Sequence, residues 1–146
     1  MPVTDEQVAP LRAQLGGYIA EYRQLLAQLS PAEVRKEYRM LATAAFCVAA
    51  ERRFPSGSTT ADVIEFVGDA RSRTESLAAI DPRVAERVIL AVVGDEDVDD
   101  VDPKTSFETQ LLLLAAMTAD QHYDAAGLEE FLTEARKLAD QWLASS

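Results

Sequence analysis

The chain has 146 residues, 48% of them hydrophobic and 27% charged, with a formal net charge of -11. This composition is typical of a soluble globular protein and excludes an intrinsically disordered one. Residues 91–146 hold 13 acidic and 3 basic side chains; nucleic acid and anionic membranes would be repelled from them, so we expect neither as a partner.

The first segment, up to Leu29, is predicted to be one amphipathic helix. It does not begin with a basic stretch followed by a hydrophobic core, so we expect no signal peptide and a cytoplasmic location. Thr4 and Gln7 have the spacing of a capping box. Pro10 favours a kink or a later start, because proline clashes with the preceding helical turn. Apolar residues then recur every three or four positions.

Gly16 and Gly17 interrupt this helix and weaken it. We interpret them as small residues that let a neighbouring helix come close. Tyr18 and Tyr22 lie beside them, and tyrosine is enriched at protein interfaces. This segment is therefore the candidate face for a homodimer.

The second predicted helix starts at Ser30, Pro31 and Glu33, which combine an N-cap, a proline at the first helical position and a capping-box glutamate. It runs to about Arg53, and its uncharged stretch 40–50 is expected to be a buried central helix. A third helix follows a cap at Thr59 or Thr60. Its predicted inward stripe is Val63, Phe66, Val67, Ala70 and Thr74.

Asp81 and Pro82 repeat the cap-then-proline signature and open a fourth helix, residues 83–93. Its β-branched run also fits a buried strand, but helix is preferred because the cap leads into it without a break. The acidic stretch 95–102 is expected to be a solvated loop. A fifth helix reaches Gln121, with Phe107, Leu111, Leu114, Ala115 and Thr118 expected to face inward. The sixth has the stripe Leu128, Phe131, Leu132, Ala135, Leu138, Ala139, Trp142 and Leu143.

An internal repeat relates two parts of the chain. Residues 50–54 match residues 119–123, and residues 63–71 match residues 128–136 with four of nine positions identical. Helices two and three would then form one helical hairpin, and helices five and six another. Residues 111–137 resemble the half-repeats of the tellurite-resistance TerB-like helical proteins, although Gln121 stands where their turn has glycine. No function is transferred from that resemblance.

Together these patterns predict an all-α bundle of about six helices. Residues 1–146 would be a single domain in which the short fourth helix joins the two hairpins. A pseudo-twofold axis could relate one hairpin to the other. The two uncharged stretches, 40–50 and 111–119, are expected to form the buried central helices. Both are too short to cross a bilayer.

Few side chains in the sequence are suited to catalysis or to metal binding, and we predict no catalytic, cofactor or metal site from them. His122 is the only histidine, which excludes a multi-histidine zinc site and a di-iron pattern. Paired with Asp120 or Asp124 it would be an acid-base group, but a surface position at a helix end is the simpler interpretation. Cys47, the single cysteine, lies in the apolar run and is expected to be a small core residue in a reducing compartment.

The loop after Gly94 has aspartates at positions 95, 97 and 99, as an EF-hand calcium loop begins. It then departs from that pattern, because Asp100 replaces the glycine and Ser106 replaces the bidentate glutamate. A dedicated calcium site is therefore not expected.

A basic segment surrounds the second helix. A helix-turn-helix built from helices two and three would place Asp62, Glu65 and Asp69 on its recognition helix, which is wrong for a phosphate-facing surface. Pairing with the acidic C-terminal third is the simpler use of these basic residues. They are Arg35, Lys36, Arg39, Arg52 and Arg53.

The sequence has no glycine-rich phosphate loop, nucleophile elbow or Cys-x-x-Cys pair, so an enzyme is not favoured. The favoured function is a non-catalytic interaction or scaffold module that self-associates. One alternative is an acidic neutraliser of a basic protein, such as an immunity protein or antitoxin. The other is a small-ligand or enzymatic pocket between the hairpins that uses Glu51, Asp120 or His122.

Overall fold

The computed structural model describes residues 2–145, apart from the side chains of residues 33–35. It confirms the predicted all-α class, since the described part of the chain contains helices and no strand. The helices, in chain order, are α1 (Asp5–Leu15), α2 (Ile19–Gln28), α3 (Pro31–Glu33), a π-helical turn (Val34–Tyr38), α4 (Arg39–Arg53), α5 (Thr60–Arg73), α6 (Glu75–Ala78), α7 (Pro82–Val93), α8 (Pro103–Gln121) and α9 (Ala125–Ser145).

The first predicted helix is two helices. α1 begins at Asp5 with the predicted capping box of Thr4 and Gln7 and continues through Pro10, so the later start predicted at Pro10 is wrong. The break comes instead at Gly17, whose φ of 87° is the left-handed conformation that glycine adopts without steric cost. The chain then reverses and α2 packs against α1.

The central stretch of α4 is buried as predicted. Leu41, Ala44, Ala45, Phe46 and Ala50 are all fully buried. Around them the helix has no polar face, because residues 40–50 offer only small or apolar side chains to every neighbour. The predicted side-chain roles of residues 33–35 lie outside the described part of the chain.

The caps of α5 and α7 follow from local sequence. Thr59 and Asp62 form a complete capping box at the start of α5. Asp81 accepts a hydrogen bond from the Arg83 N–H at 2.9 Å, and Pro82 is the first residue of α7. The strand alternative for residues 88–93 is therefore excluded.

α8 buries the predicted face only in part. Leu114 and Thr118 are buried as predicted, but Phe107, Leu111 and Ala115 are only half-buried. The other buried residues of the helix are Ser106, Thr109, Leu113 and Met117. Residues 111–114 are four consecutive leucines, which point to all sides of a helix. Their pattern therefore does not identify the face that is buried. Thr109 is buried because its hydroxyl donates to the Thr105 carbonyl at 2.7 Å.

The chain divides into two compact units. In the first, residues 1–48 and 118–146, α1 contacts α2, α9 and the π-helical turn. Its N-terminal segment is bound to α9: the Val3 N–H donates to Asp140 at 2.7 Å, and Arg136 donates to the Val3 carbonyl at 2.7 Å. Val3 is buried, so this segment is an integral part of the unit.

In the second unit, residues 49–117, α5 packs against α6 and α7. The rings of Phe54 and Phe66 meet edge to face with centroids 5.6 Å apart. In the first unit their repeat counterparts Tyr123 and Phe131 stack at 5.7 Å. Each matched pair thus joins the end of one long helix to the next helix.

Candidate interaction site

α2 is the least buried of the longer helices. None of its residues is buried, although positions 18, 19, 22, 25, 26 and 29 at and around it are all aromatic or aliphatic. Tyr18 is 65% exposed and Ile19 46% exposed. Only one other large hydrophobic side chain in the described part of the chain, Ile64, is as open to solvent.

The turn before α2 fixes the position of Tyr18. The Tyr18 N–H donates to the Ala13 carbonyl at 2.8 Å. A Cβ placed on Gly16 would come within 3.2 Å of the Tyr18 ring, so the ring lies against a residue that must be small. The two glycines therefore shape the turn between α1 and α2, which corrects the expectation that they admit a neighbouring helix.

The second tyrosine of this segment, Tyr22, lies beside a buried tyrosine. Tyr22 is half-buried and neighbours Tyr38, which is 2% exposed. Burial raises the pKa of Tyr38 well above its ordinary value, and the neighbouring Tyr22 adds to the rise. In the Tyr18–Tyr22 segment, which was predicted as an interface, Tyr22 is thus half-buried and Tyr18 is exposed.

A groove runs between α1, α2 and the start of α9. It consists of two adjoining pockets with volumes of about 470 and 350 Å³, and both pockets are lined by Ala9 and Leu25. The α2 residues that line the groove have the spacing of one helical face. They are Tyr18, Glu21, Leu25, Gln28 and Leu29.

The edges of this groove are acidic. Arg12 donates to both carboxylate oxygens of Glu129, and its hydrogen bond to Glu129 lowers the pKa of that carboxyl. Asp5 is likewise paired, since Arg136 donates to it at 2.6 Å and lowers its pKa.

Three other carboxylates line the groove: Glu6, Glu21 and Asp124. Asp124 accepts a hydrogen bond from the Gly127 N–H at the start of α9, and it forms no ion pair within the described part of the chain. Glu6 and Glu21 have no ion pair within the described part of the chain. Once the two ion pairs are set aside, the groove therefore has a surplus of negative charge beside apolar walls.

The residues considered for an enzymatic pocket are all on the surface. Asp120 and His122 are exposed at the end of α8, and His122 has a left-handed φ of 51°. Glu51 is also exposed and lines a separate groove of about 580 Å³ within residues 49–117. Glu51 is the only charged residue lining that groove, whose other walls are apolar side chains and the loop that contains Gly57. Cys47 is half-buried and forms no disulfide.

The acidic loop is folded onto an arginine. The guanidinium of Arg87 donates to both carboxylate oxygens of Asp100, at 2.6 and 3.2 Å, and to the Asp97 carbonyl at 2.7 Å. These bonds lower the pKa of Asp100. No group of three or more metal-binding side chains converges among the described residues.

The basic segment also has internal contacts. Arg53 lies over the rings of Phe54 and Phe66, 4.9 and 5.1 Å from their centroids, which is cation-π geometry. Along α5, Asp69 pairs with Arg73 at 2.9 Å. Arg35 lies outside the described side chains.

Comparison with known proteins gives no assignment: no family model, curated protein or solved structure matches this chain. No helix in the described part of the chain is long and apolar enough to span a membrane. The candidate site therefore depends on the geometry of α1, α2 and α9 alone.

Proposed function

We propose that this protein is a non-catalytic interaction module that self-associates through the exposed face of α2. We define that face by the exposed Tyr18 and Ile19 together with the half-buried Tyr22 and Leu26. The observation that carries the proposal is the helix without a buried residue. A helix of ten residues is marginal in water, so packing must stabilise it. An apolar surface left open on such a helix is typical of a binding site.

Two features of this face favour a partner protein over solvent. The backbone of Tyr18 is held by the turn through its N–H bond to the Ala13 carbonyl, so the ring is presented from an ordered backbone position. Tyrosine also combines a large apolar ring with a hydroxyl that can remain hydrated at an interface. Ile19 beside it has no such polar group, and its exposure is unfavourable unless a partner covers it.

Electrostatics sets the conditions for self-association. Two copies of a chain of charge -11 repel each other, and added salt screens that repulsion. Dimerisation through an apolar face should therefore strengthen as the salt concentration rises. An ion-paired interface would weaken under the same change.

Sedimentation equilibrium tests the proposal with two matched variants. Ile19→Ser and Ile64→Ser remove the same side chain from helices at nearly equal exposure, 46% and 49%. We expect the wild type and Ile64→Ser to exceed the monomer mass of 16.0 kDa with rising concentration, and Ile19→Ser to remain at it. A wild type that stays monomeric, or two variants that behave alike, would contradict the proposal.

A basic protein partner is the second candidate, and the uncompensated carboxylates of the groove support it. The acidic loop supports it less, because Arg87 already binds Asp100. Replacing Asp100 would disturb the loop itself, so the carboxylates to test are those of the groove.

A further inference from the structure

We propose that the groove between α1, α2 and the start of α9 binds a basic amphipathic α-helix of a partner protein. This inference names a second partner for the interaction module. It does not require self-association, because Ile19, the residue that the self-association test replaces, does not line the groove. Tyr18 belongs to both surfaces.

The shape of the groove suits a helix. α2 has ten residues, which gives a wall about 15 Å long and matches roughly three turns of an occupant. Its lining includes the small residues Ala9, Ala13 and Gly16, which leave room for an occupant. Leu25 and Leu128 also line the groove and would contact apolar residues that repeat every three or four positions.

The charges that line the groove favour a basic occupant. Glu6, Glu21 and Asp124 line the groove, whereas its one arginine, Arg12, is already bound to Glu129. Lysine or arginine side chains flanking an apolar stripe would pair with the free carboxylates. A second copy of this chain is a poor occupant, because its net charge of -11 would be brought against the same carboxylates.

Fluorescence anisotropy with two synthetic helical peptides tests this assignment. One peptide of about 14 residues has a leucine stripe flanked by lysines, and in the other every lysine is replaced by glutamate. At low salt we expect the lysine peptide to bind the full-length protein at least roughly tenfold more tightly. Its binding should weaken as salt is added, which is the opposite of the self-association response.

Matched charge variants locate the site. Glu6→Gln with Glu21→Gln removes two groove carboxylates, and Glu65→Gln with Glu130→Gln removes two exposed carboxylates that do not line the groove. We expect a roughly fivefold loss of lysine-peptide affinity in the first double variant and no change in the second.

Equal affinity for both peptides, or equal loss in both double variants, would overturn the assignment. A rise in self-association in the groove variant that Ile19→Ser does not abolish would show that a second copy occupies the groove, and would also overturn the assignment. Failure of the Ile19→Ser experiment would leave these results unaffected, because that experiment reports only on the exposed face of α2.

Discussion

Gly17→Ala tests the turn that separates α1 from α2 and so creates the proposed interaction surfaces. Gly17 has a φ of 87°, and no atom lies within 4 Å of the position that a Cβ would occupy. The substitution therefore introduces no clash. Its whole effect on the folded state comes from placing an L-residue in the left-handed conformation.

The magnitude follows from that conformation. A left-handed residue with a Cβ costs about 1–2 kcal/mol, and the lower unfolded-state entropy of alanine offsets about 0.4–1 kcal/mol. We expect a net loss of about 1 kcal/mol in the free energy of unfolding. For a chain of 146 residues this lowers the midpoint temperature by about 3 °C.

Urea and thermal unfolding followed by circular dichroism measure this loss, with two glycine controls. Gly68 lies in the exposed interior of α5 with open space around it, so Gly68→Ala should stabilise the protein by about 0.5–1 kcal/mol. Gly57→Ala meets the same left-handed strain as Gly17→Ala, at φ 99°, but lies far from α2 in sequence. It should destabilise without weakening self-association. A Gly17→Ala variant as stable as wild type would contradict the left-handed conformation of Gly17, and with it the turn between α1 and α2.

Three further changes have definite expected outcomes. Phe131→Ala removes a fully buried ring stacked on Tyr123 and should cost about 3–5 kcal/mol in urea unfolding; a loss below about 1 kcal/mol would contradict that packing. His122→Gly should stabilise by about 1 kcal/mol in the same assay, because glycine adopts the left-handed φ freely, and a loss would show that the imidazole has a structural role. Glu129→Gln should be less stable than wild type near neutral pH. The hydrogen bond from Arg12 lowers the folded-state pKa of Glu129, so the difference should shrink as the pH falls below about 4.5 and vanish below the depressed pKa; a difference that stays constant throughout the acid range would contradict this.

The sequence predicts those elements whose signals are local. The cap and proline at residues 81–82 define the start of α7, because the hydrogen bonds that form a cap lie within a few residues. The stripe of α9 likewise identifies its buried side, with Phe131, Ala135 and Ala139 all inward. The repeat matches Phe54 with Tyr123 and Phe66 with Phe131, and in the structure the two rings of each half are in contact.

Features that depend on distant partners were missed. Val3 is bound by Asp140 and Arg136, more than 130 positions away, and no local pattern indicates that contact. The groove is lined by α1, α2 and the start of α9, so its acidic edge becomes visible only when these helices come together. The apolar side of α2 was visible in the sequence, but its exposure was not.

Hydrogen exchange of α2 amides, measured at a low and a high protein concentration, tests the central claim most directly. A helix without buried residues should open locally in the dilute protein, so its amides should exchange much faster than those of α9. At high concentration a partner copy should cover α2, and its protection should rise at least about tenfold while that of α9 stays constant. Protection of α2 that already equals that of α9 in dilute solution, and does not change with concentration, would contradict the account.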